Sequence, residues 1–409
     1  MNFLTVETVI EKNRISYKYE VSGEWAEAFN LTEIGGWYAP ASTGIYEFFI
    51  EFEENMERVP QGVAIIPFLC NVLPIAWLYD AEIRVKDVDL DFYNSIAEFK
   101  KGYISMYPTE TFGGRLVAEK ISYNAQASAS GSLVFFSGGV DANFTLLSNL
   151  DQKPYLLMLW GSDIYFNDVA GWNLASNQNR GVARSLGLSY TGIKTSFRFF
   201  INCEVLDKKF AKRNNESWWH GFQHGIGIIS HAAPLAWLKG IKDVYISSSF
   251  SPADGVIKCA SYPTIDPYVR FAGSVVHHYD FQFSRQDKIE RIAQVSIAKN
   301  IDVELRVCWQ STGGKNCCQC EKCVRTIYGL LAEDVDPVDY GFMCGQRKFA
   351  KIIDKIQKRE IYPTSYWSEI VDKFLRDEER WSAVPHVKAL VDAYKEMQLA
   401  KQASRVNGA

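Results

Sequence analysis

The chain has 409 residues, of which 47% are hydrophobic, 14% aromatic and 22% charged. This length and apolar content can supply a large buried core and exclude a disordered chain. The formal net charge of −4 argues against non-specific binding to nucleic acid, because such binding usually requires a basic surface.

The N-terminal sequence and the longest apolar stretch bear on localisation. Residues 1–4 lack the basic start of a signal peptide, and charged residues follow from Glu7 onward. The apolar stretch at residues 62–79 is interrupted by two prolines and an asparagine, so it predicts buried core strands or a packed loop rather than a membrane span. We therefore expect a cytoplasmic protein with no membrane partner, whose nine cysteines are thiols or metal ligands rather than disulfides.

The first part of the chain reads as a separate α+β domain. Strand-like patches lie at residues 14–21, 44–52, 63–69 and 81–85, and a helix is predicted at 91–101. Residues 126–132 are small and polar, which is typical of a linker. We therefore expect an N-terminal domain at residues 1–129.

From residue 133 the pattern changes to alternating strands and helices. Strands are predicted at 133–136, 155–160, 244–248 and 303–307, and helices at 144–150, 177–186, 217–238 and 288–299. Apolar strands separated by helices indicate a parallel sheet with right-handed crossovers. We expect this α/β domain to span residues 130–345, with a C-terminal helical extension at 346–409.

A glycine-rich turn follows the first of these strands. It reads Ser137, Gly138, Gly139, Val140 and Asp141, and a predicted helix comes next. Two glycines allow a tight turn that presents backbone N–H groups, and a helix N-terminus adds a positive dipole, so an anion such as pyrophosphate is expected there. Asp141 could hold the Mg²⁺ that accompanies a phosphate. The alternative is an ordinary turn capped by Asp141; a Walker A loop is excluded, because no Gly-Lys-Ser/Thr follows.

Four cysteines within sixteen residues predict a metal site: Cys308, Cys317, Cys320 and Cys323. Tetrahedral Zn²⁺ takes four thiolates, and short Cys-x₂-Cys turns supply them in pairs. An iron–sulfur cluster is the alternative metal centre. The alternative without a metal is a chance cluster of free thiols. Cys318 breaks the pairing, and we interpret it as a bystander.

Both motifs resemble one group of enzymes. The glycine turn resembles the Ser-Gly-Gly-x-Asp-Ser loop of the PP-loop ATP pyrophosphatases, with Ala142 in place of the final serine. Residues 308–325 resemble the zinc motif of the 7-cyano-7-deazaguanine synthase family, and residues 284–291 are similar to its Thr/Ser-Lys-x-Glu-Ile helix start. The resemblance covers about residues 131–345 and implies an adenine nucleotide alpha hydrolase-like fold. Residues 262–267 only echo the family's substrate segment, and family members lack the N-terminal extension, which indicates a divergent paralogue.

The resemblance also implies roles for particular residues. Asp141 and Ser137 would be catalytic, and the backbone of Met158, Leu159 and Trp160 would read adenine. The whole turn would cradle pyrophosphate, Asn143 could offset the hydroxyl lost at Ala142, and the four cysteines would hold zinc. Gln223 and His224 fall where polar substrate contacts would lie, although a core or capping role is favoured for the histidine. Lys194 and Arg198 follow a predicted strand and either could neutralise the triphosphate, but a solvated position is predicted for each. Arg325 is expected to face the same cleft.

The implied function is that of an ATP-dependent C–N ligase using ATP, Mg²⁺ and Zn²⁺. It would adenylate a 7-carboxy-7-deazaguanine-like carboxylate with release of pyrophosphate, then form an amide or nitrile with ammonia or an amine. Three alternatives stay open: conjugation to a protein amine recruited by residues 1–129, base thiolation through Cys259, and a lapsed nucleotide-binding module. Related enzymes often form dimers, so a homodimer is a further expectation.

Overall fold

The structure, a computed structural model, describes residues 2–30, 47–308 and 314–407. The chain forms two compact units. Unit 1 comprises Met1–Ser137 and Ser148–Gln282, and unit 2 comprises Gly138–Leu147 and Phe283–Ala409.

All the described strands belong to unit 1. They are β1 (Phe3–Ile10), β2 (Arg14–Ser22), β3 (Phe48–Glu51), β4 (Glu82–Asp89), β5 (Arg115–Ser122), β6 (Gly131–Phe135), β7 (Tyr155–Trp160), β8 (Tyr190–Thr195), β9 (Ile241–Ser247), β10 (Arg270–Phe271) and β11 (Ser274–Tyr279). They form one sheet in the order β10-β11-β9-β6-β7-β8-β3-β2-β1-β4-β5.

The α-helices are numbered along the chain. They are α1 (Gln61–Ala64), α2 (Ile66–Leu78), α3 (Leu90–Met106), α4 (Val140–Ser148), α5 (Val169–Ser185), α6 (Cys203–Leu206), α7 (His224–Ile229), α8 (Ala232–Lys239), α9 (Arg285–Lys299), α10 (Glu321–Leu331), α11 (Gln346–Gln357), α12 (Ser368–Arg376), α13 (Glu378–Ser382) and α14 (Pro385–Asn407). Two π-helical turns lie at Asp207–Ala211 and Trp219–Gln223. Short 3₁₀ helices lie at Glu24–Ala28, Leu150–Gln152, Lys212–Asn214, Pro252–Asp254, Asp266–Tyr268, Pro337–Tyr340 and Ser365–Trp367.

The central part of the sheet confirms the predicted α/β class. Strands β8, β7, β6, β9 and β11 are neighbours and run parallel. Taken in chain order they follow the sequence 3-2-1-4-5, a doubly wound arrangement whose order reverses at β6. Ligands of such sheets bind outside the carboxyl ends of the strands, at the reversal, and the glycine turn follows β6.

The N-terminal strands extend the same sheet. Strand β3 pairs antiparallel with β8, with Ile50 opposite Thr195 and Glu51 opposite Lys194. Strands β2 and β1 continue antiparallel, and β4 and β5 are again parallel to β1. The sheet is therefore mixed, although mostly parallel. The predicted boundary at residue 129 lies inside unit 1, and the division into three domains stays a prediction.

Two segments differ from the predicted elements. The apolar stretch that starts at residue 62 forms helices α1 and α2 rather than strands or a loop. Residues 66–77 are all buried, so the segment is apolar on every side and carries no periodicity that separates helix from strand. Residues 303–307 form no ladder; the N–H of Leu305 donates to Tyr340 O and that of Arg306 to Gly138 O. Part of the predicted strand at 44–52 lies outside the described residues, and β3 covers the rest.

Every helix in the described part of the chain is too short or too polar to cross a lipid bilayer. In unit 2 the helices pack around an apolar core of their own. Its largest members are Tyr328, Trp367 and Phe374, all nearly inaccessible to solvent. Residues 321–331 contribute to this core from one side of α10, which fixes the position of its N-terminus.

Candidate functional site

The glycine turn joins β6 to α4 in the way that the sequence predicts. Ser137 is exposed at the end of unit 1, and Gly138 has a φ of 79°, a left-handed conformation that glycine adopts without steric cost. Helix α4 begins at Val140. The first backbone N–H groups of an α-helix have no partner within the helix, and together with the dipole they favour an anion.

Asn143 stabilises this turn from within α4. It is buried, and its Nδ2 donates to Gly138 O and to Gly139 O, each at 2.9 Å. Both hydrogens of the amide are thus used inside the loop. Ala142 is also buried. Asn143 therefore holds the shape of the turn, while a contact with ATP stays a prediction.

Asp141 is held by two cations of unit 2. Its Oδ2 accepts a hydrogen bond from Arg285 Nη2 at 2.7 Å, and its Oδ1 accepts one from Lys288 Nζ at 3.3 Å. Burial alone would raise the pKa of Asp141, but the charges of Arg285, Lys288 and Lys322 outweigh burial and hold it below its ordinary value. The carboxylate is therefore ionised and engaged with protein cations.

The sequence positions these two cations through a capping box. Ser284 accepts from the backbone N–H of Asp287, and the Asp287 carboxylate accepts from that of Ser284. This box starts α9 at Arg285, three residues earlier than predicted, and places Arg285 and Lys288 one turn apart on one helix face. Sequence analysis did not assign Lys288 to the site, although the Ser-x-x-Asp spacing was the available signal.

A second helix of unit 2 also carries cations near its N-terminus. Helix α10 begins with Glu321, and Lys322 and Arg325 follow in its first turns. Arg325 is mostly buried, its Nε lies 3.2 Å from Glu321 Oε1, and burial together with the charge of Arg285 lowers its pKa. Both α9 and α10 thus start with a mixture of acidic and basic side chains, and the basic ones oppose the helix dipole.

The four cysteines converge in unit 2. Their sulfur atoms all lie within 4.8 Å of one another, and the Cys308–Cys320 and Cys317–Cys323 pairs are each 3.9 Å apart. Four thiolates that bind one zinc ion at about 2.3 Å lie about 3.8 Å from each other. In a four-iron cluster each thiolate binds a different iron, which separates the sulfurs further. The donor set therefore fits a single tetrahedral ion such as zinc.

Backbone hydrogen bonds orient these ligands. Cys320 caps α10, and its sulfur accepts from the N–H of Cys323 at 3.5 Å, while Cys317 Sγ accepts from the N–H of Cys320 at 3.2 Å. A hydrogen bond from the Cys323 thiol also lowers the pKa of Cys320 to about 5. Asn316 joins the segment to its neighbours, because its amide accepts from Val307 and Cys308 and donates to Leu305 and Gly341. The four-cysteine cluster thus lies directly at the N-terminus of α10.

The strand whose backbone is predicted to recognise adenine belongs to unit 1. Met158, Leu159 and Trp160 form the carboxyl end of β7 and pair with β8, whereas the ladder from β7 to β6 stops at Leu157. The Trp160 ring stacks on Trp172 with their centroids 5.3 Å apart. A cavity of about 400 Å³ lies beside these rings. Main-chain recognition of adenine there stays a prediction.

The other polar candidates belong to unit 1, where Gln223 is buried and His224 is half-buried. Gln223 uses both amide hydrogens, on Asn71 Oδ1 and Phe197 O, and is a core residue. His224 Nδ1 lies 3.5 Å from Cys259 Sγ. Burial raises the pKa of the Cys259 thiol to about 12 and lowers that of His224 to about 4. A thiol in this state is a poor nucleophile, which disfavours base thiolation through Cys259.

The two basic residues predicted to be solvated differ from each other. Lys194 is half-buried and lies 3.7 Å from a Glu51 carboxylate oxygen. Arg198 is buried, donates to Ser162 O at 3.2 Å and lies with its guanidinium carbon 3.7 Å from the centre of the Trp219 ring. The prediction was therefore wrong for Arg198, because the loop after β8 folds back over an aromatic side chain that the sequence does not place there.

Comparison with known proteins finds no related family. No protein-family model matches the chain, and no curated protein matches it.

Proposed function

We propose that this protein is an ATP-dependent C–N ligase that adenylates a carboxylate and releases pyrophosphate. One observation carries the proposal: the Gly138–Gly139 turn opens a helix in unit 2 beside cations from the starts of two further helices. Arg285 and Lys288 belong to α9 and contact Asp141. Lys322 belongs to α10, and its charge also acts on Asp141. Preorganised cations and N–H groups of this kind stabilise the charge that develops on a departing pyrophosphate.

The reaction has two steps. A carboxylate oxygen of the substrate attacks the α-phosphorus of ATP, and the bond from that phosphorus to the oxygen shared with the β-phosphorus breaks, releasing pyrophosphate. The nitrogen of ammonia or an amine then attacks the acyl carbon, loses a proton, and displaces AMP to give an amide. The resemblance of residues 308–325 to a 7-deazaguanine enzyme supports a planar base carboxylate as the substrate.

Zinc and Mg²⁺ enter this proposal differently. The four cysteines fit zinc, and the ion would hold the N-terminus of α10, with Lys322 and Arg325, in place without entering the chemistry. Asp141 is the residue expected to hold Mg²⁺, but both of its oxygens accept hydrogen bonds from cations. This donor set does not fit a divalent ion, and no step is assigned to a metal at Asp141.

The test is product analysis with 7-carboxy-7-deazaguanine, ATP, Mg²⁺ and ammonium. We expect AMP and pyrophosphate to appear only when the carboxylate is present, and mass spectrometry then separates an amide, a nitrile and a protein conjugate. Formation of ADP and phosphate, or carboxylate-independent hydrolysis, would contradict adenylation.

A matched pair of variants makes the test specific to the turn. Asp141→Asn removes the charge that orders Arg285 and Lys288, so we expect at least about a tenfold loss of AMP formation. Asp151→Asn makes the same chemical change at an exposed position after α4 and should retain the activity. Equal activity of the two variants would remove Asp141 from the proposed site.

A further inference from the structure

Lys288 is a buried cation whose position is fixed by a carboxylate. Its side chain is only 2% exposed, and its Nζ lies 3.3 Å from Asp141 Oδ1. An ammonium group is costly to bury unless an opposite charge compensates it. Asp141 contributes to that compensation, so the pair belongs to the packed interior of unit 2 rather than to its surface.

Arg285 occupies the other side of the same carboxylate. Its Nη2 lies 2.7 Å from Asp141 Oδ2, and both side chains are about one-fifth exposed. The two oxygens of Asp141 therefore face two different cations. A magnesium ion requires ligand oxygens at about 2.0–2.1 Å and a nearly octahedral shell that usually keeps several waters. At Asp141 it would have to displace Arg285 or approach the ammonium group of Lys288 closely, and like charges repel in a buried site.

We infer that Lys288 and Arg285 take the place of a divalent cation at Asp141, so that phosphate is bound by fixed ammonium and guanidinium groups of α9. The part of this inference that concerns phosphate rests on the proposed function. The ion pair between Asp141 and Lys288 is independent of the proposed function, because these two residues contact each other without a ligand. The lowered pKa of Asp141 is consistent with it, because neighbouring cations outweigh burial at that carboxyl.

The first experiment measures nucleotide binding with and without metal. Calorimetry with α,β-methylene-ATP, which cannot release pyrophosphate, is carried out on the zinc-loaded protein in buffer depleted of Mg²⁺ by a chelating resin and in excess Mg²⁺. We expect the affinity of the wild-type protein without Mg²⁺ to stay within about threefold of that in Mg²⁺. Lys288→Met should lose about tenfold or more without Mg²⁺, the effect of one charge-assisted hydrogen bond, and recover most of it in Mg²⁺.

Lys351→Met is the matched control, because Lys351 is exposed on α11; it should bind like the wild-type protein in both buffers. Zinc content and circular dichroism show that each variant is folded. A wild-type protein that needs Mg²⁺ for binding, with Lys288→Met showing the same dependence, would overturn the inference.

The second experiment needs no nucleotide and separates the two claims. Urea denaturation compares Asp141→Asn, Lys288→Met and the double variant. We expect Asp141→Asn to be the least stable, because it removes a negative charge that the buried Lys288 contacts, and Lys288→Met to restore part of the loss when added to it. Additive losses would overturn the inference. If the double variant regains stability but the protein binds no nucleotide, the proposed function is rejected and the ion pair between Asp141 and Lys288 is retained.

Discussion

Single residues in this protein are fixed by contacts that their own sequence neighbourhood does not reveal. Asn143 looked like a ligand for phosphate, yet its amide is used by the carbonyls of Gly138 and Gly139. Gln223 is similar, since its partners Asn71 and Phe197 are distant in the chain. A polar residue type indicates that hydrogen bonds are made, whereas the fold decides whether they go to the protein or to a ligand.

Gly225 offers a test at this scale. A Cβ atom there would collide with the carbonyl oxygen of Ala260 and lie 2.5 Å from Asp266 Oδ1. We expect Gly225→Ala to lower the free energy of unfolding by about 2 kcal/mol, because neither backbone nor the buried Asp266 can move easily. Gly181→Ala is the control, since nothing lies within 4 Å of that position in α5, and it should stabilise the protein by about 1 kcal/mol. Urea denaturation measures both, and a neutral Gly225→Ala would contradict the described packing.

At the scale of elements, helix N-termini organise the candidate site. The first turns of α4, α9 and α10 contain Asp141, then Arg285 and Lys288, then Lys322 and Arg325 respectively. The start of α9 depends on a capping box, and the start of α10 depends on Cys320, which is one of the four cysteines that could hold a metal ion. A metal bound by these cysteines would hold the N-terminus of α10, with Lys322 and Arg325, in place.

The metal is therefore testable apart from catalysis. We expect one zinc ion per chain and no acid-labile sulfide by elemental analysis. Cys320→Ser should lose the zinc, because it removes one of four thiolates, while Cys318→Ser should retain it. Iron with stoichiometric sulfide, or loss of the metal in Cys318→Ser, would show that the ligand set is different.

At the scale of the whole molecule, unit 1 contains two histidines with depressed pKa values, of which His231 is fully buried and His224 is half-buried. His231 is inaccessible to solvent, with Nδ1 donating to Gly227 O at 2.6 Å and Nε2 accepting from Thr195 Oγ1 at 2.8 Å. Burial lowers its pKa to about 4, and burial has the same effect on His224. Both rings are thus neutral in the folded protein at neutral pH.

These histidines predict how stability depends on pH. An unfolded histidine has a pKa of about 6.5, so between about pH 6.5 and 4 the unfolded state binds protons that the folded state does not. The stabilisation is complete above this window and is lost as the pH falls, by about 1.4 kcal/mol per pH unit for each histidine.

Urea denaturation at pH 7, 6 and 5 checks this expectation. As the pH falls, the free energy of unfolding of His231→Gln should decrease less steeply than that of the wild-type protein. The expected difference in slope is about 1.4 kcal/mol per pH unit, the contribution of one proton. Any effect of acid on the cysteine cluster is common to both proteins, so the difference between their pH curves is diagnostic, and parallel curves would contradict the prediction.

The sequence alone determined the local features of this protein. Continuous apolar runs predicted β6 and β7, and the glycine turn and the cysteine spacing predicted the strand-to-helix junction and a four-sulfur cluster, because each depends on residues close together in the chain. The tertiary structure decided what depends on distant residues. It placed β3 beside β8, made a helix of the apolar stretch at residues 66–78, and brought Lys288 to Asp141, 147 positions away. Strand pairing and the compensation of buried charges depend on contacts that close long loops, and such contacts leave no local pattern in a sequence.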